Sequence, residues 1–331
     1  MQVGGGAAIA LPMGAWAQKD TKLPLVAVLF PGTEELFKSR LAAVRLGLKD
    51  EGLVEGQDYV LETRTASGDF SQLPRFAREL DALRPRVFVA AATAAGVVHS
   101  VLPDRQLVFT AMAVDPVTVG LAESYRKPGG TATGNVMNTV GGEESLTAKR
   151  LGFFKELVPK IELLGMIGVV WNPQSLQGVL SRQEETALQE VSSQLGFRFE
   201  NYAIITPDDF ERVFDKALSD EVNALYISGD PLLTVNISRV IPHVLAAGKP
   251  TFGAYPDWGR AGLLLTYSTD ALDGFRRAGV YAAKIVRGVK PANLPIEQAS
   301  KFWLVVNLKT AKQLGISVPP NLLMLADEVI E

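Results

Sequence analysis

Leu25-Val26-Ala27-Val28-Leu29-Phe30-Pro31-Gly32-Thr33, followed by Phe37, Leu41, Val44 and Leu48, is the stretch that decides the fold. Six apolar residues in a row, without alternation, read as a strand covered on both faces, the condition of a parallel sheet flanked by helices. The run stops at Pro31-Gly32-Thr33. The apolar spacing of three and four that follows predicts a helix closing near Gly52. The pattern then repeats. A strand is expected over 59–65, then an amphipathic stripe through Leu73, Phe76, Ala77, Leu80 and Leu83 closed by Pro85, then strands over 87–90 and 107–109. Strand, helix, strand with short connections implies right-handed crossovers and a doubly wound sheet.

The same rhythm restarts past Pro159. Strands are expected over 164–171, 198–205, 224–228 and 250–254. Between them lie a helix lined by Leu188, Val191 and Leu195, a second carrying Phe210, Val213, Phe214 and Ala217, and a third reaching Ala247. Two successive α/β units of similar size predict two doubly wound, Rossmann-like lobes. The expected division is 22–138 plus about 268–300 for the first lobe, and 139–267 plus about 301–331 for the second. Leu263-Leu264-Leu265-Thr266-Tyr267 is read as the segment returning the chain to the first lobe. There a helix over 273–286 packs through Phe275, Ala278, Ala282 and Ile285. Several strand crossings then make a multi-strand hinge, which permits closure around a ligand.

Composition excludes much. Of 331 residues, 21% are charged and 47% hydrophobic, ordinary values for a globular chain. Lys+Arg 33 against Asp+Glu 36 leaves a net charge of −3, with no basic excess to attract nucleic acid. Absent cysteine removes disulfides, thiolate nucleophiles and Cys-based metal sites. Only His99 and His243 are available for imidazole chemistry. No Walker-type G-x-x-x-x-G-K-[ST] occurs, no G-x-G-x-x-G follows a strand, and no cofactor is expected. Residues 1–17 carry no charge and end Ala15-Trp16-Ala17, a small-x-small pattern read as the remnant of a signal peptide. No later run approaches the roughly 20 apolar residues that span a bilayer.

In open α/β sheets ligands sit beyond the carboxyl ends of the strands. That rule selects Pro31-Gly32-Thr33-Glu34, Ala92-Thr93-Ala94 and Val114-Asp115-Pro116 in the first lobe. In the second it selects Asn172-Pro173-Gln174-Ser175, Ser228-Gly229-Asp230-Pro231 and Ala254-Tyr255-Pro256-Asp257-Trp258. Thr93 opens a helix, so its hydroxyl and the N–H groups after it suit a carboxylate. Asp115 or Asp230 suits an ammonium group. Tyr255 and Trp258 suit an aromatic ring. Glu184-Glu185 and Asp208-Asp209 read as acidic pairs at helix starts, where the dipole favours them.

Several of these segments also carry a family resemblance. Gly47-Leu48 with Glu51-Gly52-Leu53-Val54-Glu55-Gly56-Gln57-Asp58, then Ala92-Thr93-Ala94-Ala95, Asp115-Pro116-Val117, and Lys127-Pro128-Gly129-Gly130-Thr131-Ala132-Thr133-Gly134 are the early matches. Gly262-Leu263-Leu264-Leu265-Thr266-Tyr267 and Gly288-Val289-Lys290-Pro291-Ala292-Asn293-Leu294-Pro295-Ile296-Glu297 follow. Together they resemble the substrate-binding components of ABC importers of the tryptophan/tyrosine type. The resemblance implies a periplasmic-binding-protein type I fold and a periplasmic, soluble or lipid-free monomer without enzymatic activity. Such a receptor closes on a small solute, an aromatic or other amino acid or a small aromatic carboxylate, and delivers it to an inner-membrane ABC permease. Carried over by position, it implies ligand contacts at Thr33, Thr93 and Ala94 on one side and at Asn172 and Asp230 on the other. Glu34, Asp115, Tyr255, Trp258 and Tyr267 complete the candidate set. A cytoplasmic ligand-sensing domain and a two-lobed enzyme are the alternative expectations.

Overall fold

The computed structural model describes residues 22–137, 142–172 and 176–331. The leader reading of residues 1–17 and the loop residues Pro173, Gln174 and Ser175 lie outside the described residues.

The first lobe is wound from β1 (Leu25–Phe30), α1 (Glu34–Asp50), β2 (Val60–Thr65), α2 (Leu73–Ala82), β3 (Val87–Ala91), α3 (Thr93–Val101), β4 (Leu107–Met112) and β5 (Ala132–Val136). The second follows with α4 (Gly142–Leu157), β6 (Leu163–Val169), α5 (Leu176–Leu195), β7 (Arg198–Ile204), α6 (Phe210–Ser219) and β8 (Ala224–Ile227). It continues through α7 (Pro231–Val235), α8 (Ile237–Ala247), β9 (Thr251–Gly253), α9 (Pro256–Ala261) and β10 (Leu265–Thr269). The chain then returns as α10 (Ala271–Val286) and β11 (Glu297–Gln298) to the first lobe. It ends in the second as β12 (Phe302–Asn307), α11 (Leu308–Gln313), α12 (Pro320–Leu325) and β13 (Glu328–Ile330).

The first sheet runs β11-β5-β4-β3-β1-β2, parallel throughout. The second runs β13-β12-β10-β9-β8-β6-β7 and is parallel except between β10 and β12. The unbroken apolar run of β1 has its reason in this layering. Val26 and Val28 turn to α1 and α10, while Ala27 and Leu29 turn to α2 and α3. In β6, Leu164 and Met166 face one helical layer and Ile167 and Val169 the other.

The helix expected to reach Ala247 is α8, preceded by the short α7 that Asp230 and Pro231 start, the two dividing at Asn236. One expectation needs correction. The returning segment does not leave the second lobe at Tyr267. β10 is paired there with both β9 and β12, and the crossing comes after Thr269.

Polar contacts hold the hinge. The backbone N–H of Asp270 donates to Lys301 O at 2.9 Å, tying two crossings together. The buried Thr110 hydroxyl donates to Asn135 Oδ1 at 3.0 Å, and Asn135 Nδ2 donates to Gly274 O at 2.8 Å. The start of α10 is therefore fixed to β4 and β5.

α10 packs against α1 through two glycines. A Cβ on Gly47 would lie 1.8 Å from Arg276 O, and one on Gly279 would lie 2.1 Å from Val44 O. No side chain yields there, because the obstacle is backbone. Gly279→Ala forces the helices apart, and we expect a loss of about 1–3 kcal/mol of stability, as for other overpacked sites, measured by urea unfolding.

Candidate functional site

In each sheet the strand order reverses once, between β1 and β3 in the first and between β6 and β8 in the second. Loops leaving such neighbouring strands diverge and open a crevice at their carboxyl ends. The crossings turn the two crevices toward each other, and two adjoining chambers lie between them.

The inner chamber is about 120 Å³. Thr93 and the strand-end residues Ala111 to Val114 form its first-lobe wall, and Arg150, Glu184, Asp230 and Tyr255 its second-lobe wall. Thr93 is 4% exposed, and its Oγ1 has no hydrogen-bond partner among the described residues. The hydroxyl stands at the first residue of α3, where helix N–H groups lack intrahelical acceptors.

Facing it, Asp230 is 7% exposed. Its Oδ1 accepts from the backbone of Leu232 at 2.7 Å, capping α7, and its Oδ2 accepts from Trp171 Nε1 at 2.6 Å. Burial pushes its carboxyl up to about 6; the two donors pull it down, and the Glu184 charge adds to the rise. Glu184 accepts from Gly229 N at 3.0 Å and from the hydroxyls of Tyr226 and Ser228. Buried Arg150 completes the wall. Its Nε donates to Tyr267 O and its Nη1 to Tyr226 Oη, both at 2.9 Å. Tyr226 thus links a buried cation to a carboxylate.

The outer chamber is larger, about 390 Å³. Phe30, Phe70, Trp258 and Phe275 give it aromatic walls, with Thr33 and Arg40 among its polar groups. Tyr255 serves both chambers. Its hydroxyl donates to Gly229 O at 3.1 Å, its ring meets Trp258 edge-on at 4.9 Å, and burial pushes its phenol up to about 12. At one rim the lobes touch: a Cβ on Gly68 of the first lobe would meet Val235 of the second at 3.1 Å.

The structure therefore gathers Thr93, Asp230 and Tyr255 at the inner chamber and Thr33, Tyr255 and Trp258 at the outer one. Thr33 also N-caps α1. The other candidates lie elsewhere. Glu34 is exposed in the first turn of α1 and lines neither chamber. Ala94 is wholly buried in the first-lobe core. Asp115 accepts from Val117 N and the Thr118 hydroxyl, holding its own turn while Val114 faces the chamber. Asn172 is exposed. Tyr267 packs between Phe153 and Phe302 in the second core, and only its carbonyl reaches toward the site, through Arg150.

Sequence reasoning missed Arg150, Glu184 and Arg40. Glu184 is not at a helix start: α5 begins at Leu176, and Glu184 reaches the β8 loop from mid-helix. A mid-helix acid three residues before the buried pair Ala187 and Leu188 is the signal that was available.

Ala92 and Ala111 line both chambers with φ of +46° and +51°, a left-handed region that glycine occupies freely. Ala92→Gly relieves this strain and raises stability by about 1 kcal/mol, measured by urea unfolding.

Comparisons with known proteins agree with this architecture. A family model, ABC transporter substrate binding protein, matches residues 26–330. A tyrosine-binding protein of Clostridioides difficile is 22% identical over 272 residues, covering 81% of this chain and 74% of the relative. The structure of an ABC domain in complex with L-Trp from Streptococcus pneumonia is similar at a TM-score of 0.82 and 22% identity, covering 93% of this chain and 100% of that one. A conserved domain protein from Vibrio cholerae aligns with the same TM-score of 0.82 and coverage, at 24% identity. The fold is that of type I periplasmic binding proteins. A match running from β1 to the last strand leaves no part of either lobe outside it, and the chain belongs to the ABC transporter substrate binding protein family.

Proposed function

We propose that this substrate-binding protein holds an aromatic amino acid across its two lobes. The carboxylate lies at the start of α3 on Thr93, the ammonium group faces Asp230, and the side chain enters the outer chamber. The observation that carries the reading is the unpartnered, buried Thr93 hydroxyl lining the same small chamber as a buried carboxylate. A donor without an acceptor and an acid held out of water are complementary to the two ends of a zwitterion. Among the relatives, one is named as tyrosine-binding and another was solved with L-Trp, which supports the class.

The function is binding without chemistry. Closed lobes bearing solute are the form that an ABC permease in the inner membrane receives, and the protein works in the periplasm as a monomer. No helix among the described residues is long and apolar enough to cross a membrane.

Calorimetric titration with L-Trp, L-Tyr and L-Phe tests the reading. At least one binds, and Thr93→Ala and Asp230→Asn each weaken it tenfold or more, about 1.4 kcal/mol. Heat-free titrations with all three amino acids, or variants that bind as the parent does, sink it.

pH adds an independent check. The folded carboxyl of Asp230 titrates near 6, above its ordinary 3.8. Below pH 4 both folded and unfolded chains hold this proton. Between pH 4 and 6 the unfolded chain has lost it and the folded chain keeps it, so this contribution to stability falls as pH rises. The ligand-free protein therefore loses on the order of 1–3 kcal/mol across that window from this group. Asp230→Asn flattens the decline in thermal unfolding series. Amino-acid affinity runs the other way: the ammonium group needs the ionised acid, so binding weakens as pH falls below 6.

A further inference from the structure

Arg40 stands apart from the other charges near the cleft. It lies on α1, lines the outer chamber, and its guanidinium sits 5.9 Å from the centre of the Phe30 ring in the same wall. Its Nη1 donates to Leu36 O at 2.9 Å and makes a long 3.4 Å contact with Ser39 Oγ. Among the described residues no carboxylate comes within 4.0 Å of it, whereas more exposed arginines such as Arg45 and Arg260 have one. Burial lowers its pKa, opposed by the more distant Asp257 and Tyr255, so its charge is desolvated without a matching partner.

The two acids that share the chamber do not discharge it. Asp257 is held by Arg260 at 2.6 Å, and exposed Glu35 lies 3.4 Å from Lys38. The remaining donors of the guanidinium, Nε and Nη2, meet no acceptor among the described residues. A planar fork with free donors is matched by a carboxylate or phosphoryl group, which it binds through two parallel bonds.

Size points the same way. A dry apolar cavity of about 150 Å³ already accepts a benzene ring. The outer chamber, at about 390 Å³ with the lobes touching at Gly68 and Val235, has room for a ring and a further group beyond it.

We propose that Arg40 is the distal anchor of the cleft, and that the preferred ligand is an aryl amino acid carrying a second, anionic group at the far end of its ring. The inference rests on the reading of the cleft as an aromatic amino-acid site and names the subclass it selects. Thr93 and Asp230 hold the amino-acid end, the aromatic walls hold the ring, and the guanidinium closes the charge balance at the other end.

Calorimetric titration of the full chain with L-phenylalanine and 4-carboxy-L-phenylalanine tests it. The wild type is expected to prefer the carboxylated probe by at least tenfold. Arg40→Met brings the two affinities to within about twofold of each other. Arg40→Lys, which keeps the charge and loses the fork, retains part of the preference and serves if the methionine variant unfolds early in a thermal scan. Equal affinities in the wild type overturn the proposal, as does a preference that survives in Arg40→Met. A variant that weakens both probes by the same factor also overturns it, since Arg40 then acts as a latch toward Asp257. Failure of both probes on the wild type instead overturns the amino-acid reading, and the distal anchor falls with it.

Discussion

A carboxylate kept out of water is the constraint on which this cleft depends. Asp230 sits at the end of β8 with both oxygens engaged, by the backbone of α7 and by the indole of Trp171. Those bonds orient it but do not neutralise it, and burial still raises its proton affinity. Glu184 repeats the arrangement a short way off, gripped by Tyr226, Ser228 and Gly229. Arg150 reaches Tyr226 rather than supplying a direct ion pair to Asp230. For stability alone, well-packed apolar residues in place of buried charges are often as good or better. In the proposed binding mode a cation arriving with the ligand completes them.

In the same binding mode the opposite pole lies across the cleft from that acid. Thr93 begins α3 in the other lobe, and it lines the same chamber as Asp230 because the strand-order reversals of both sheets face one another. The Thr110–Asn135–Gly274 bonds fix the start of α10 to the first lobe, and the Asp270–Lys301 contact ties two of the crossings together. A ligand touching both walls gains contacts only when the lobes are together. That differential is what shifts an open-to-closed equilibrium. At the rim, Gly68 lies so near Val235 of the other lobe that a Cβ there would come within 3.1 Å of it.

The layered fold was legible because β1, β3, β4, β6 and β8 are buried on both faces and read as apolar runs. The strand-end rule picked out Thr93, Asp230, Tyr255 and Trp258, and all four line one or both chambers. Tyr267, which that rule did not select, packs its ring in the aromatic core beneath the chambers, and Ala94, which it did, turns its methyl into the first-lobe core. The rule could not find Arg150, Glu184 or Arg40, because helices α4, α5 and α1 line the chambers from their flanks rather than from strand ends. A helical position carries no strand-end signature. Its approach to the site depends on how the helix packs, which the sequence expresses only through apolar neighbours such as Ala187 and Leu188.

The central claim, that the inner chamber recognises both poles of an amino acid, is tested most directly by removing one pole at a time. Calorimetry of the wild-type protein at pH 7.5 would compare an aromatic amino acid with its analogues lacking the amine or the carboxylate: L-phenylalanine, 3-phenylpropionate and phenethylamine. The account predicts that each analogue binds at least tenfold more weakly than the amino acid, about 1.4 kcal/mol or more. An analogue that binds as tightly as the parent amino acid would contradict it.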